Sequence, residues 1–350
     1  MTLALVAIVK DAAASIEACL AAARPHISAA TIVDTGSTDG TPDLICSLMP
    51  EAQVYRRPWV NFGRNRSEAL KLAQGTADWL LALDADMTVD IDAGFAPDPA
   101  YDAYMIEMRD NGTAWRLPLL LRGDLPWESR GAVHEYTCLP DRAYRSRPTD
   151  EVRVHFPTTP TSPAKRRWHA DMLEEELKRE PDNPRTVFYL AQTYREMDDP
   201  AWARRLYLRR ADMGGFEEEA WYAAFRAALL ARWPAQATEL MAAWERRPHR
   251  LEPLYCLLKE LNARGLHRAA YRLSKVPFTP PEGDVLFIEH GVWDWGIEFE
   301  RSLAAWWVGE RREFASLTDS LLRRRVPETI REALLRNQAL PSQPDPIGVH

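Results

Sequence analysis

Two aspartates separated by one residue, Asp84 and Asp86, have the type and spacing that could support chemistry. They follow directly on an apolar run at 79–83. Burying an unpaired carboxylate is costly, so two of them at the edge of a core favour a bound cation. Mg²⁺ or Mn²⁺, held by carboxylates and by substrate phosphates, suits such oxygen ligands. An isolated Asp-x-Asp also occurs in solvated turns, so both interpretations stay open at this point.

A second polar segment, Asp34 to Thr41, combines two acids with glycines and hydroxyls. Its glycines, Gly36 and Gly40, allow the backbone to approach a phosphate or ribose closely. Asp34, at the tip of a predicted strand, could accept hydrogen bonds from a base or sugar. A tight turn capped before the next helix explains the same residues equally well.

The elements that must position these acids alternate between strand and helix. Predicted strands at 3–9, 31–33, 53–55 and 79–83 are separated by helical segments, which is typical of a parallel α/β sheet. Ligands of such sheets collect beyond the carboxyl ends of the strands, where both acidic segments would lie. Two further strands, at 101–108 and 115–121, follow without helices and predict a smaller antiparallel addition.

The second half of the sequence is helical and repetitive. Tyr189, Tyr222 and Tyr255 recur at a constant interval, and Ala203, Ala237 and Ala270 follow at nearly matching offsets. Such recurrence predicts stacked pairs of antiparallel helices. A segment rich in proline and hydroxyls precedes them. We therefore predict a sheet domain at 1–158, a linker at 159–165, a helical domain at 166–340 and a disordered tail at 341–350.

Composition narrows the class of protein. The net charge of −7 argues against a general nucleic-acid partner. No apolar run reaches the roughly 20 residues needed for a membrane span, and no leader is recognisable, so we expect a soluble, cytoplasmic protein. The cysteines lack metal-ligand spacing, and we predict that they are reduced core residues: Cys19, Cys46, Cys138 and Cys256.

Taken together, the motifs resemble the family 2 glycosyltransferases of GT-A fold. The motifs that carry the resemblance are Ala7–Asp11, Ile32–Thr41, Arg64–Asn65, Leu83–Asp86 and Gly131–Glu135. Helical repeats after such a domain are similar to the tetratricopeptide (TPR) branch of that family, some members of which glycosylate proteins or peptides. The sequence departs from the common pattern at Asp11, where Asn followed by Glu is frequent, and at Met87, where Glu is usual.

The resemblance implies a role for each matching residue. A nucleoside-diphosphate sugar, UDP- or GDP-linked, would be bound by Val9, Lys10, Asp34, Gly36, Asp39, Arg64, Asn65 and Asp84. Mn²⁺ or Mg²⁺ would be held by Asp84, Asp86 and His155. Glu135 would be the general base of an inverting transfer, because one carboxylate suffices to deprotonate the acceptor in a direct displacement. For His134 we expect a structural hydrogen-bonding role, since neighbouring residues of a strand face opposite ways.

Other functions compete with this hypothesis. A sugar-phosphate nucleotidyltransferase uses a related sheet and metal, but the glycine-rich run expected after the first strand is missing at Lys10–Ala13. A non-catalytic scaffold with a degenerate GT-A domain is the other alternative, and the intact acids argue against it. The repeats could bind a protein or peptide acceptor, form a homodimer, or buttress the sheet.

Overall fold

The computed structural model describes residues 1–110, 113–157, 162–279 and 283–338. The chain divides into two compact units, Met1–Asp199 and Pro200–His350. No helix in these described ranges is both long and apolar enough to cross a bilayer.

In its described residues, the first unit has a mixed sheet and five helices. Its strands are β1 (Leu3–Val9), β2 (Ala29–Asp34), β3 (Gln53–Arg56), β4 (Trp79–Ala82), β5 (Thr88–Ile91), β6 (Ala103–Asp110), β7 (Thr113–Arg122), β8 (Glu128–Arg130), β9 (Tyr136–Cys138), β10 (Ser146–Thr149) and β11 (Val152–His155). Its helices are α1 (Ile16–Ala23), α2 (Thr41–Leu48), α3 (Phe62–Ala73), α4 (Pro163–Arg179) and α5 (Pro184–Glu196).

The main sheet runs in the order β10-β6-β7-β4-β1-β2-β3 within this unit. Strands β4, β1, β2 and β3 are parallel to one another, whereas β7 is antiparallel to both β4 and β6. Two short antiparallel pairs, β5 with β11 and β8 with β9, lie beside it. The predicted antiparallel addition is therefore confirmed.

The central strands are buried because helices cover both faces of the sheet. Successive residues of β1 point to opposite faces of the sheet. Leu5 packs in the core that contains Ile16 of α1, and Val6 packs in the core that contains Leu70 of α3. Continuous apolar strands are what a parallel sheet covered on both sides requires. The parallel register also pairs Val9 with Asp34, so the tips of β1 and β2 meet at one edge.

The described elements of the second unit are helices, a short strand, β12 (Ile288–Glu289), and a π-helical turn at Val292–Gly296. Its helices are α6 (Pro200–Asp212), α7 (Glu217–Leu229), α8 (Ala235–Arg246), α9 (Glu252–Ala263), α10 (His267–Leu273), α11 (Ile297–Val308), α12 (Arg311–Leu322) and α13 (Glu328–Gln338). The recurring tyrosines lie on α5, α7 and α9, and the recurring alanines lie on α6, α8 and α10. The predicted helical repeat is confirmed.

The predicted fold class, an α/β GT-A (Rossmann-like) mixed-sheet domain followed by an all-α region of TPR-like repeats, is thus confirmed. The proposed domain limits stay a prediction, since part of the linker at 159–165 and the whole tail at 341–350 lie outside the described residues. Helix α4 nevertheless begins inside that linker, at Pro163, because Ser162 accepts a hydrogen bond from the Lys165 amide as an N-cap.

All four cysteines are free, but the predicted core position is wrong for Cys46. Cys46 is exposed because its neighbour Ile45 occupies the buried face of the short helix α2. Cys19 alone among the four is fully buried, against the sheet. Desolvation, followed by the charges of Asp84 and Asp86, raises the pKa of its thiol to about 12, so Cys19 is an inert core residue.

Candidate active site

Asp84 and Asp86 leave the sheet where β4 ends. Leu83 is still buried, whereas the Asp84 side chain is 45% exposed and Asp86 lies at the surface. Partial desolvation and then the neighbouring charge of Asp84 raise the pKa of Asp86. The raised pKa means that the charged form of Asp86 is disfavoured at this edge, and a bound cation would reverse that effect.

Arg66, a residue that the sequence analysis missed, joins this pair to the predicted base. Its Nη2 donates to Asp84 Oδ1 at 2.5 Å and its Nε donates to Glu135 Oε1 at 2.6 Å. Burial disfavours the cation, but the two carboxylates outweigh that effect and raise the pKa of Arg66. Asp84 is therefore not the unpaired carboxylate that was expected, because α3 supplies it with a guanidinium.

A sequence signal for Arg66 exists in the spacing of α3. The buried residues Ala69, Leu70 and Ala73 of this helix follow Arg66 by three, four and seven positions. Residues at these intervals share one face of a helix. Arg66 therefore lies on the buried face of α3, where its charge requires partners.

The two α3 residues that were predicted to bind the nucleotide differ from each other in their surroundings. Asn65 is buried, and its side chain accepts from the Val60 amide and donates to the Pro58 carbonyl, so it holds the preceding turn. Arg64 is exposed, and its amide is capped by Asn61. Only Arg66 of these neighbours reaches the acids, and nucleotide contacts by Arg64 and Asn65 stay a prediction.

The loop after β2 is fastened to the loop after β1. Buried Asp34 accepts from the Ser37 amide, and Asp11 accepts from the amide and hydroxyl of Thr38. Asp39 accepts from Ala13 and Thr41, and the hydrogen bond from the Thr41 hydroxyl is the main reason that the pKa of Asp39 is lowered. Asp39 thus shapes the loop.

A cavity of about 670 Å³ opens over this loop. Asp34 and Gly36, two of the predicted nucleotide-binding residues, line it together with Arg56 and Arg57, which the sequence analysis did not select. Both arginines lie at the carboxyl end of β3. Because ligands of parallel sheets collect beyond the carboxyl ends of the strands, the same reasoning applied to β3 would have predicted these two residues. Of the other predicted nucleotide residues, Val9 ties the loops together by accepting from Thr35, and Lys10 is exposed.

Glu135 lies in the loop between β8 and β9, and α3 holds one side of that loop. Gly63 donates its amide to the Gly131 carbonyl at 3.1 Å, and Phe62 donates to Ala132. A Cβ atom on Gly63 would stand 2.6 Å from the Gly131 oxygen, so only glycine permits this approach. The loop that carries the predicted base is thereby fixed against the helix that carries Arg66.

The α4–α5 pair holds the other side of the loop. Glu176 of α4 accepts from the Ala132 amide through one oxygen and from the Thr186 hydroxyl through the other, both at 2.9 Å. Arg185 of α5 donates twice to the His134 carbonyl, at 3.1 and 2.9 Å. These contacts secure the residue immediately before Glu135.

His134 has a left-handed backbone, with φ 54°, and its ring stacks on Tyr189 at 4.3 Å between centroids. The residue as a whole is exposed, but the Tyr189 ring covers one face of the imidazole. This desolvation and the nearby charges of His169, Arg185 and Lys165 lower the pKa of His134. The expected structural role agrees with this geometry, although the backbone carbonyl accepts the hydrogen bonds.

The three predicted metal ligands are not assembled in the structure. His155 Nε2 lies 3.0 Å from Asp90 Oδ2, because β11 pairs with β5 and both side chains project to solvent there. The described part of the chain contains no group of three or more His, Cys, Asp or Glu side chains placed to hold a metal. Asp84 and Asp86 alone fit a hard cation that takes its remaining ligands from phosphate and water.

Comparison with known proteins supports the family resemblance. Residues 6–93 match the model of the family described as glycosyl transferase family 2. A TPR repeat-containing protein of Synechococcus elongatus is 33% identical over 87 residues, which are 25% of this chain and 21% of that protein. The chain thus matches about a fifth of the length of this curated relative. The resemblance to family 2 glycosyltransferases is confirmed for the N-terminal region.

Solved structures of S. aureus TarS are also similar. A fragment in complex with UDP-GlcNAc is 13% identical, with 96% of this chain and 92% of that chain covered at a TM-score of 0.31. A complex with UDP is 15% identical, with 83% and 99% covered at a TM-score of 0.33. At such scores the fold assignment rests on the strand order and on the family match instead.

Proposed function

We propose that this chain, whose residues 6–93 match the family 2 glycosyltransferases, transfers a sugar from a nucleoside-diphosphate sugar to an acceptor with inversion. The donors that we propose are UDP- and GDP-linked sugars. The observation that carries the proposal is the ion-paired group formed by Asp84, Arg66 and Glu135 at the carboxyl edge of the sheet. In this group the carboxylate proposed as the base and one of the two acids proposed to hold the metal share a single guanidinium.

Each member of the group has a part in the proposed reaction. Arg66 holds Glu135 through Oε1, and Oε2 has no hydrogen-bond partner among the described residues. Oε2 can therefore accept the proton of the acceptor as the acceptor atom forms its bond to the anomeric carbon. The bond from that carbon to the diphosphate oxygen breaks at the same time, and the nucleoside diphosphate leaves with the electron pair.

Asp84 and Asp86 would hold the divalent cation. Mn²⁺ or Mg²⁺ bound there would stabilise the negative charge of the departing diphosphate as a Lewis acid. The cavity lined by Asp34 and Gly36 would receive the base and ribose, with Arg56 and Arg57 at its rim. A protein or peptide side chain is the acceptor that we propose, in keeping with the helical repeats.

Isothermal titration of the whole chain with UDP and with GDP, with and without Mn²⁺, tests the proposal. The wild type should bind at least one of them more tightly with the metal. Asp86→Asn should lose that metal-dependent gain. Because the pKa of Asp86 is raised and a protonated carboxyl cannot hold a cation, the gain should also fall as the pH is lowered, beginning at a higher pH than an ordinary aspartate would give.

Asp92→Asn is the matched control, since Asp92 is an exposed acid paired with Arg153 at the surface. It should bind nucleotide like the wild type. Undiminished metal-dependent affinity in Asp86→Asn would contradict the proposed metal site, and absence of nucleotide binding by the wild type would contradict the proposed function.

A further inference from the structure

Helix α4 presents one face to the loop that carries Glu135. Glu176 of this helix accepts a hydrogen bond from the Ala132 amide, and the His169 ring lies 5.7 Å from the His134 ring, centroid to centroid. His169 and Glu176 are seven residues apart, which is about two turns of helix, so they share a face. The helix therefore runs along the loop, with its earlier turns beside the later loop residues.

Lys165 continues this face by one more turn, because it precedes His169 by four residues. Its charge acts on groups of both the Glu135 loop and the acidic edge of the sheet. It opposes the rise in the pKa of Asp86 that desolvation and a neighbouring carboxylate cause. It also adds to the desolvation that lowers the pKa of His134 and of His169. Helix packing and charge thus place Lys165 beside the acids proposed to hold the metal.

The ammonium group of Lys165 differs from the guanidinium of Arg66 in its partners. Arg66 is committed to Asp84 and Glu135 through two ion pairs. Lys165 is exposed, and its ammonium has no ion-pair or hydrogen-bond partner among the residues that the structure describes. The charge of Lys165 is therefore available to an anion that binds at this edge.

The proposed reaction produces such an anion. When the bond from the anomeric carbon to the diphosphate oxygen breaks, that oxygen takes the electron pair and the diphosphate gains negative charge. A cation that is already in position stabilises this charge as it develops. A protonated lysine is a compact charge with three hydrogen-bond donors, which suits phosphate oxygens.

We propose that Lys165 of α4 binds the diphosphate of the sugar nucleotide and stabilises it as the leaving group. The ammonium stays protonated throughout, so no proton moves in this step. The proposal rests on the proposed function and adds to it a residue that lies outside the sheet and outside the matched residues 6–93. The first helix after the sheet would then take part in the reaction as well as in positioning the Glu135 loop.

Isothermal titration of the full chain with UDP, UMP, GDP and GMP, each with Mn²⁺ and with EDTA, tests this proposal. The quantity compared is the ratio of diphosphate affinity to monophosphate affinity. Lys165→Ala should lower that ratio by about tenfold, because a charge-assisted hydrogen bond to the terminal phosphate is lost. Lys165→Arg should keep most of the ratio because it retains the charge.

Lys178→Ala is the matched control, since Lys178 is an exposed lysine of the same helix that pairs with Glu175. It should give the wild-type ratio, and thermal melts check that every variant is folded. An unchanged or higher ratio in Lys165→Ala would overturn the proposal, because a lysine that only offsets the neighbouring acids would give that result. Failure of the glycosyltransferase proposal is distinguishable, since the wild type would then bind neither UDP nor GDP even with Mn²⁺.

Discussion

At the scale of single residues, the site depends on one guanidinium shared by two carboxylates. Arg66 is largely buried, with 12% of its side chain exposed, and so is Glu135 with 13%, whereas Asp84 reaches solvent. Charge-assisted hydrogen bonds of this kind are stronger and more directional than neutral ones. The arrangement fixes the Glu135 carboxylate in one orientation.

Glu135→Gln should keep nucleotide affinity but slow the reaction. The amide retains the shape of the side chain but cannot take the acceptor proton, so kcat should fall by roughly 10²–10⁴-fold. The measurement is release of UDP or GDP from a panel of nucleotide sugars, with affinity followed by titration.

Glu128→Gln is the control for that variant, since Glu128 lies on the adjoining strand β8 and pairs with Arg130 at the surface. Its turnover should equal that of the wild type. Wild-type turnover in Glu135→Gln would require another base, with Asp124 or Glu128 the next acids to examine.

Arg66→Ala should destabilise the first unit. Removing the guanidinium leaves Asp84 and Glu135 without their partner in a partly buried site, at a cost of about 1–3 kcal/mol. Urea unfolding should show the lower midpoint. Arg64→Ala, two positions away on the exposed side of α3, should change stability by less than about 0.5 kcal/mol. Equal midpoints for the two variants would show that the ion pairs contribute nothing.

At the scale of elements, the Glu135 loop is positioned from two sides. Helix α3 approaches closely through Gly63, and the α4–α5 pair reaches the loop through Glu176 and Arg185. Backbone amides and carbonyls of a loop need partners when they are partly buried. Here α3, which precedes the loop in sequence, and α4 and α5, which follow it, supply those partners. The conformation of the loop therefore depends on α4 and α5, the first two helices after the sheet.

Glu176→Ala should loosen this loop. Ala132 and Thr186 lose their acceptor, so backbone amides at 131–136 should exchange with deuterium faster than in the wild type. Hydrogen–deuterium exchange with mass spectrometry measures the change. Glu176→Gln should restore much of the protection because its carbonyl can still accept. Glu175→Ala, which removes only a surface pair with Lys178, should exchange like the wild type. Unchanged exchange in Glu176→Ala would assign the positioning to α3 and Arg185.

At the scale of the whole molecule, helices α4 and α5 belong to the compact unit that contains the sheet. Trp168 of α4 contacts both Trp59 and Phe62 of the segment that opens α3, at 5.9 and 6.2 Å between ring centroids. Aromatic contacts of this kind bury large apolar areas. The division at Asp199 therefore differs from the boundary suggested by composition alone.

Two truncated chains test where the first unit ends. A fragment of residues 1–199 should unfold cooperatively and bind nucleotide as the full chain does, because the unit is compact. A fragment of residues 1–158 exposes Trp59 and Phe62 and removes the α4 and α5 contacts of the Glu135 loop, so it should melt at lower temperature or aggregate. Circular dichroism melts compare them, and equal stability would show that α4 and α5 are dispensable.

The sequence alone determined the fold class and the main acidic residues. Unbroken apolar runs specify buried strands, helical spacing between them specifies a parallel sheet, and the constant tyrosine interval specifies the repeats, because each pattern depends on local periodicity. The position of Asp84 and Asp86 at a strand tip follows from the same rule.

Only the tertiary structure decided which side chains meet. The pairing of Arg66 with Asp84 and Glu135 and the contacts of Glu176 and Arg185 with the Glu135 loop join residues far apart in sequence. His155 was expected beside the acids of β4, but the register of β11 on β5 placed it against Asp90. Such contacts depend on strand register and helix packing, which no local pattern of residues encodes.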